Sequence, residues 1–156
     1  MKKKSLFKIN MESIFKTFEE LSTKELYKLL QLRSEIFVVE QNCVYQDIDD
    51  ADFNAVHQML YREDQLIAYA RILKPGSYFE QLSIGRILTA FKLRRTGLGH
   101  QLMQEAIDYC QKHFPDQPIK ISAQQYLINF YEQHRFTKQG QGYLEDGIPH
   151  IAMIRE

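Results

Sequence analysis

The stretch Ile84-Gly85-Arg86-Ile87-Leu88-Thr89, followed by Arg94-Arg95-Thr96-Gly97-Leu98-Gly99, decides how this chain reads. Its first half completes a strand over Leu82–Thr89, and its second half opens the clearest helix in the sequence. Leu98, Leu102, Met103, Ala106, Ile107, Cys110 and Phe114 fall on one stripe at helical spacing, and Pro115 stops the helix. Gly97 and Gly99 remove two Cβ atoms where the loop turns into that helix. The N–H groups of a first helical turn lack internal acceptors, and the helix dipole adds positive character, so the spot suits a phosphate or pyrophosphate. Arg94 and Arg95 can add direct contacts. Glycine spacing alone leaves a second reading open, in which the glycines only allow close strand–helix packing.

Outward from this segment, strand and helix patterns alternate. Ile14–Phe18 is a short β-like run, and Ser22 or Thr23 caps a helix carrying Leu26, Leu29, Leu30 and Ile36. After an acidic loop from Asp47 to Asp52, Ala55–Arg62 and Leu66–Lys74 form a hairpin around Glu63-Asp64-Gln65. Downstream of the central helix, Ile119–Ala123 is a buried-type strand and Tyr126–His134 a short helix. Thr137–Leu144 and His150–Arg155 are closing strands. The pattern predicts a mixed α/β domain with one central sheet.

The chain has 156 residues, 44% apolar and 26% charged, which predicts one globular domain. Twenty basic residues balance twenty acidic ones, which argues against a general nucleic-acid or membrane-surface binder. Cys43 and Cys110 are too few for a disulfide framework or a zinc site. No apolar run approaches the roughly 18 residues of a membrane span. Lys2, Lys3 and Lys4 imitate the start of a signal peptide, yet Lys8, Asn10 and Glu12 interrupt its apolar region, so a cytoplasmic protein is expected. Met11 offers an alternative start. Residues 1–13 read as a short arm open to disorder, and 14–156 as the domain.

Competing motifs fit poorly. No G-x-x-x-x-G-K-S/T is present, and the glycine loop lacks the third glycine of a dinucleotide fingerprint. Asp47-Ile48-Asp49-Asp50-Ala51-Asp52 imitates a calcium loop, but neither the required glycine nor the closing glutamate follows, so no metal is expected.

A strand, then Arg94-x-x-Gly97-x-Gly99, then an amphipathic helix resembles the acetyl-CoA motif of the GCN5-related N-acetyltransferases. Asn129-Phe130-Tyr131 through Arg135-Phe136 resembles that family's second motif, although Arg135 stands where the family usually has glycine. Leu32-Arg33, Phe37–Gln41, Tyr45-Gln46-Asp47 and Glu145–His150 are similar to its ElaA-type branch. The resemblance implies a splayed, mostly antiparallel sheet of six to seven strands flanked by about four helices. It also implies acetyl transfer from acetyl-CoA to a primary amine in a ternary complex. A non-catalytic acyl-CoA-binding or sensing module on the same fold is the rival, and a cofactor-free interaction domain a third. The acceptor, small molecule or protein, carries no legible code; a homodimer is the working expectation.

The same resemblance assigns roles. Backbone groups of Ile87, Leu88 and Thr89 would pair with the pantetheine arm as an added strand, one N–H holding the developing oxyanion. Arg94, Arg95, Thr96, Gly97, Leu98, Gly99 and His100 would surround the pyrophosphate, and Asn129 would orient the pantetheine or the helix end. Tyr131 would protonate the departing thiolate, its ordinary pKa of about 10 keeping it protonated. Glu40, His57 and His150 are candidates for the base that deprotonates the amine. Cys43 and Cys110 read as packing residues, and Arg86 as an ion-pair partner or a substrate contact. Asp47, Asp49, Asp50 and Asp52, with Glu145 and Asp146, would border the acceptor cleft and favour a cationic amine, unless they form only a solvated loop.

Overall fold

The first helix starts where its sequence requires. The Ser22 hydroxyl accepts from the Glu25 amide at 3.2 Å, and the Glu25 carboxylate accepts from the Ser22 amide at 2.8 Å. This capping box satisfies two otherwise orphaned donors at the start of α1 (Thr23–Arg33). The computed structural model, which describes residues 10–156, continues α1 directly into a π-helical segment, Ser34–Glu40. Hydrogen bonds such as Gln41 N to Ile36 O at 3.3 Å mark that wider winding.

Seven strands form one sheet: β1 (Met11–Thr17), β2 (Ala55–Arg62), β3 (Gln65–Leu73), β4 (Leu82–Thr89), β5 (Ile119–Gln124), β6 (Thr137–Glu145) and β7 (Ile148–Arg155). Their order is β1-β2-β3-β4-β5-β7-β6, and only β4 and β5 run parallel. β1 begins before the expected boundary at residue 14, because Met11, Glu12 and Ser13 pair with Arg62, Tyr61 and Leu60. The rest of the expected arm, residues 1–9, lies outside the described residues.

Alternation along the strands builds two cores. Leu60, Ala68 and Ala70 face α2 (Leu98–His113) and α3 (Ile128–Gln133), joining Leu102, Met103, Ala106 and Ile107. Met59, Tyr69 and Leu88 point the other way, toward Leu29, Leu32 and Ile36 of α1 and its π extension. A buried Leu or Ile side chain contributes about 1.5–3 kcal/mol, so the stripe on α2 anchors that helix firmly.

The decisive feature is where the sheet fails. β4 and β5 pair only at Leu82–Ile119 and Ser83–Lys120, then part. On its other edge, β4 slips register against β3 between Gly85 and Leu88, with Arg86 in a left-handed conformation at φ 49°. A strand whose outer edge is unpaired within its own sheet is thereby left facing a gap.

Candidate active site

That gap opens into a cavity of about 890 Å³. β4 supplies Gly85 through Thr89, the loop before α2 supplies Arg94, Arg95, Gly97, Gly99 and His100, and α3 supplies Phe130 and Tyr131. Ser122, Glu145 and His150 form part of the wall from β5, β6 and β7.

Gly97 sits at φ 83° immediately before α2, and a Cβ there would meet nothing within 4 Å. Its glycine is a requirement of backbone conformation, not of packing. A Cβ on Gly99 would make only ordinary contacts, at 3.6 Å to Phe130 and 3.9 Å to Thr89. The close-packing reading of the two glycines therefore fails. The first helical bond is donated by Gln101 to Gly97 O at 3.1 Å, which leaves the amides of Leu98, Gly99 and His100 without a helical acceptor. Bare amides, a helix N-terminus and an unpaired strand edge on one cavity fit an extended, anionic co-substrate such as acetyl-CoA.

Some expected contacts narrow to the backbone. The Thr96 hydroxyl donates to Leu93 O at 2.6 Å, and the Leu98 side chain is buried in the core, so neither side chain faces the cavity. Asn129 is exposed and does not line the cavity. Two residues along a helix turn about 200°, so Asn129 and Tyr131 cannot face the same way on α3.

Tyr131 is placed by the end of its helix. Phe136 N donates to Tyr131 O at 3.2 Å and Arg135 N to Glu132 O at 2.9 Å, with Arg135 left-handed at φ 65°. This is a Schellman motif with arginine at the position that favours glycine, closed by Phe136 packing edge-on against Tyr131 at 6.1 Å. Burial pushes the Tyr131 phenol well above its ordinary range, which keeps it a neutral proton donor.

The three base candidates separate. Glu40 is clamped by both terminal nitrogens of Arg94 and lines a neighbouring groove with Leu32 and Phe91, not this cavity. His57 is fully buried, its Nδ1 2.7 Å from the Tyr69 hydroxyl and its Nε2 2.9 Å from Asp52 O. A carbonyl only accepts, so Nε2 carries the hydrogen and both nitrogens are committed. Burial also pushes His57 down, toward the neutral form. His57 is thus corrected from a cleft residue to a structural one, because β2 directs it away from the gap. His150 lines the cavity.

Three aspartates of the acidic loop are committed to ion pairs, Asp47 and Asp52 of them buried, while Asp50 is exposed. Arg33, fully buried, donates from Nε to Asp47 at 2.8 Å and from Nη1 to Asp52 at 2.7 Å. Arg71 binds Asp49 at 2.7 Å and Asp52 at 3.1 Å, and Arg86 binds Asp47 at 2.7 Å and Asp49 at 3.2 Å. Three arginines match three aspartates. Arg86 is an ion-pair partner that also lines the cavity. Cys110 is buried, and burial pushes its thiol up to about 12. Cys43, expected to be a packing residue, instead lines the cavity, its thiol donating to Asp146 O at 3.5 Å.

A sheet splayed around a cavity, with bare helix-terminal amides and a buried tyrosine on its walls, defines an acyltransferase. Residues 19–156 match the family model described as the acetyltransferase (GNAT) domain, and the chain belongs to that family. Protein ElaA of Escherichia coli K12 is 48% identical over 139 residues, covering 88% of this chain and 91% of ElaA. The crystal structure of E. coli ElaA superposes with a TM-score of 0.89 at 44% identity, over 94% of this chain and 100% of that one. An acyl-CoA N-acyltransferase from Pseudomonas aeruginosa gives the same TM-score at 42% identity and the same coverage. The expected ElaA-type fold is the one observed, with three α-helices among the described residues where about four were expected.

Proposed function

We propose that this acyltransferase moves the acetyl group of acetyl-CoA directly to a primary amine held in the same cavity. The observation that carries the reading is the early parting of β4 from β5, which leaves the edge of Ile87, Leu88 and Thr89 beside the free amides at the start of α2. The strand edge would take the pantetheine amides as a neighbouring strand. The amides of Leu98, Gly99 and His100 would take the pyrophosphate, with Arg95 beside them. A β4 amide near the register slip would polarise the thioester oxygen. Tyr131, buried and protonated, would give its proton to the departing sulfur. Among the base candidates His150 is favoured, since Glu40 and His57 are committed elsewhere.

Direct transfer predicts initial-rate lines that intersect when acetyl-CoA and amine are varied together. Parallel lines, or loss of turnover in Cys43→Ala, would instead indicate an acetylated enzyme. Acetyl-CoA binding with no turnover across a broad amine panel would favour a sensing module.

A further inference from the structure

One carboxylate on the cavity wall stands apart from the arginine network. Glu145, the last residue of β6, accepts from the Tyr78 hydroxyl at 2.9 Å on Oε1 and from the Ser122 hydroxyl at 2.7 Å on Oε2. Ser122 has only one hydrogen to give, so its short contact with the Tyr143 hydroxyl is donated by Tyr143. Burial, together with the bond to Glu145, raises the Tyr78 phenol and keeps it a donor. These partners fix the carboxylate in place without neutralising its charge.

His150 stands next to it. Its Nδ1 is 2.7 Å from Ile148 O, and because a carbonyl only accepts, Nδ1 carries the hydrogen. In the neutral ring the lone pair is then at Nε2, which lies 3.5 Å from Glu145 Oε2. In that neutral form the two acceptors do not bond one another, whereas a protonated ring would donate to Glu145 directly. A donor with two or more hydrogens between them satisfies both. The backbone beneath is pinned as well: Gln125 Nε2 donates to His150 O at 3.1 Å, through space that a Cβ on Gly142 would occupy, only 2.1 Å from that nitrogen.

The surrounding charge selects the donor. Arg71 and Arg86, which line the cavity, are matched by Asp47, Asp49 and Asp52, and Arg94 is held by Glu40. Glu145 and Asp146 are the cavity carboxylates outside these pairs among the described residues, so this wall is anionic, and the cavity's unpaired arginine, Arg95, stands on the loop before α2 instead.

Resting on the acetyl-transfer reading above, we propose that Glu145 and His150 together seat the acceptor, and that the acceptor is an aliphatic primary ammonium with no carboxylate on the carbon that bears it. Such an amine is a cation at neutral pH and must lose a proton before it attacks. One N–H is donated to Glu145 Oε2, and another proton passes to His150 Nε2, freeing the nitrogen lone pair. The C–N bond forms as the C–S bond breaks, and the bonding pair leaves on sulfur. Of the three ammonium protons, one departs through His150, one ends on sulfur by way of the Tyr131 hydroxyl, and one stays on the amide nitrogen. An α-amino acid would place its carboxylate against Glu145 and is rejected.

The test uses full-length protein saturated with CoA, following the ¹⁵N resonances of His150 while 1-aminopentane or L-norleucine, the same chain with an α-carboxylate, is added. The Nδ1–H tautomer should be observed, and 1-aminopentane should shift Nε2. Its affinity should fall about tenfold or more in Glu145→Gln, with CoA affinity unchanged, and L-norleucine should bind about tenfold or more weaker than 1-aminopentane. Equal amine binding by wild type and Glu145→Gln, equal binding of the two probes, or no shift at His150 overturns the proposal. Failure of CoA itself to bind wild type overturns the transfer reading beneath it, a result distinct from CoA binding without an amine effect.

Discussion

The Glu40 carboxylate grips both terminal nitrogens of the Arg94 guanidinium, tying the π-helical segment to the loop that opens α2. Two residues expected to serve different steps of the reaction therefore serve one another. The pair is partly exposed, so it is worth at most about 1 kcal/mol. Glu40→Gln should keep kcat within about threefold of wild type, whereas loss of a general base costs about 10² or more. Steady-state kinetics with a competent amine decides between them.

Tyr131 carries the opposite expectation. Its phenol is buried and held protonated, its position fixed by the Schellman turn and by Phe136. Tyr131→Phe keeps the ring and the packing and removes only the proton. We expect kcat to fall about 10²-fold, with the KM for acetyl-CoA nearly unchanged. Wild-type turnover at saturating substrate would reject the acid assignment.

The Arg33 network governs stability. Removing one partner of a buried ion pair costs about 3–5 kcal/mol, so Arg33→Met should lower the midpoint of thermal unfolding by roughly 6–20 °C. The network also sets the acid limit. Burial pushes the Asp49 and Asp52 carboxyls up, but bonds and charge from Arg71 on Asp49, and from Arg33 and Arg71 on Asp52, outweigh it and leave both lowered. Their folded values thus lie below the unfolded ones. The stabilisation is complete above the ordinary carboxylate range, near about pH 4, and is lost as pH falls through the lower folded values. A plot of unfolding midpoint against pH should drop on the acid side in wild type and drop less steeply in Arg33→Met, where Asp52 loses one of its two arginines and Asp49 keeps Arg71.

Arg135 occupies a left-handed position that costs an L side chain about 1 kcal/mol. Arg135→Gly should leave turnover unchanged and raise the unfolding midpoint by about 2–4 °C. A drop would mean that the arginine side chain, though exposed, makes up for its backbone.

The features legible in the sequence were those written locally. The stripe from Leu98 to Cys110 defines α2, and Gly97 and Gly99 mark the turn from loop into that helix. The family's second motif led to Tyr131 and to the strain at Arg135. What sequence could not show depended on distant segments. Nothing beside Asp47, Asp49 or Asp52 tells that Arg33, Arg71 and Arg86 close over them, so a set of ion pairs read as a cation-attracting or solvated loop. His57 and His150 looked alike as histidines near strand starts, and only the register of β2 and β7 separates a buried one from a cavity one. The π winding of Ser34–Glu40 left no mark in residue type. Helical periodicity could have warned against Asn129, since it sits two residues from Tyr131 on one helix.

Acetyl-CoA binding is the claim on which the rest depends, and calorimetry on wild type and Gly99→Glu tests it most directly. Gly99 is the place to act, because its backbone is not left-handed and a Cβ there meets only ordinary contacts, leaving the fold intact. A new carboxylate would stand beside the amides of the first turn of α2. Wild type should bind with micromolar affinity, weakened about 100-fold or more in the variant. Equal affinity in the two proteins, or no binding by folded wild type, would contradict it.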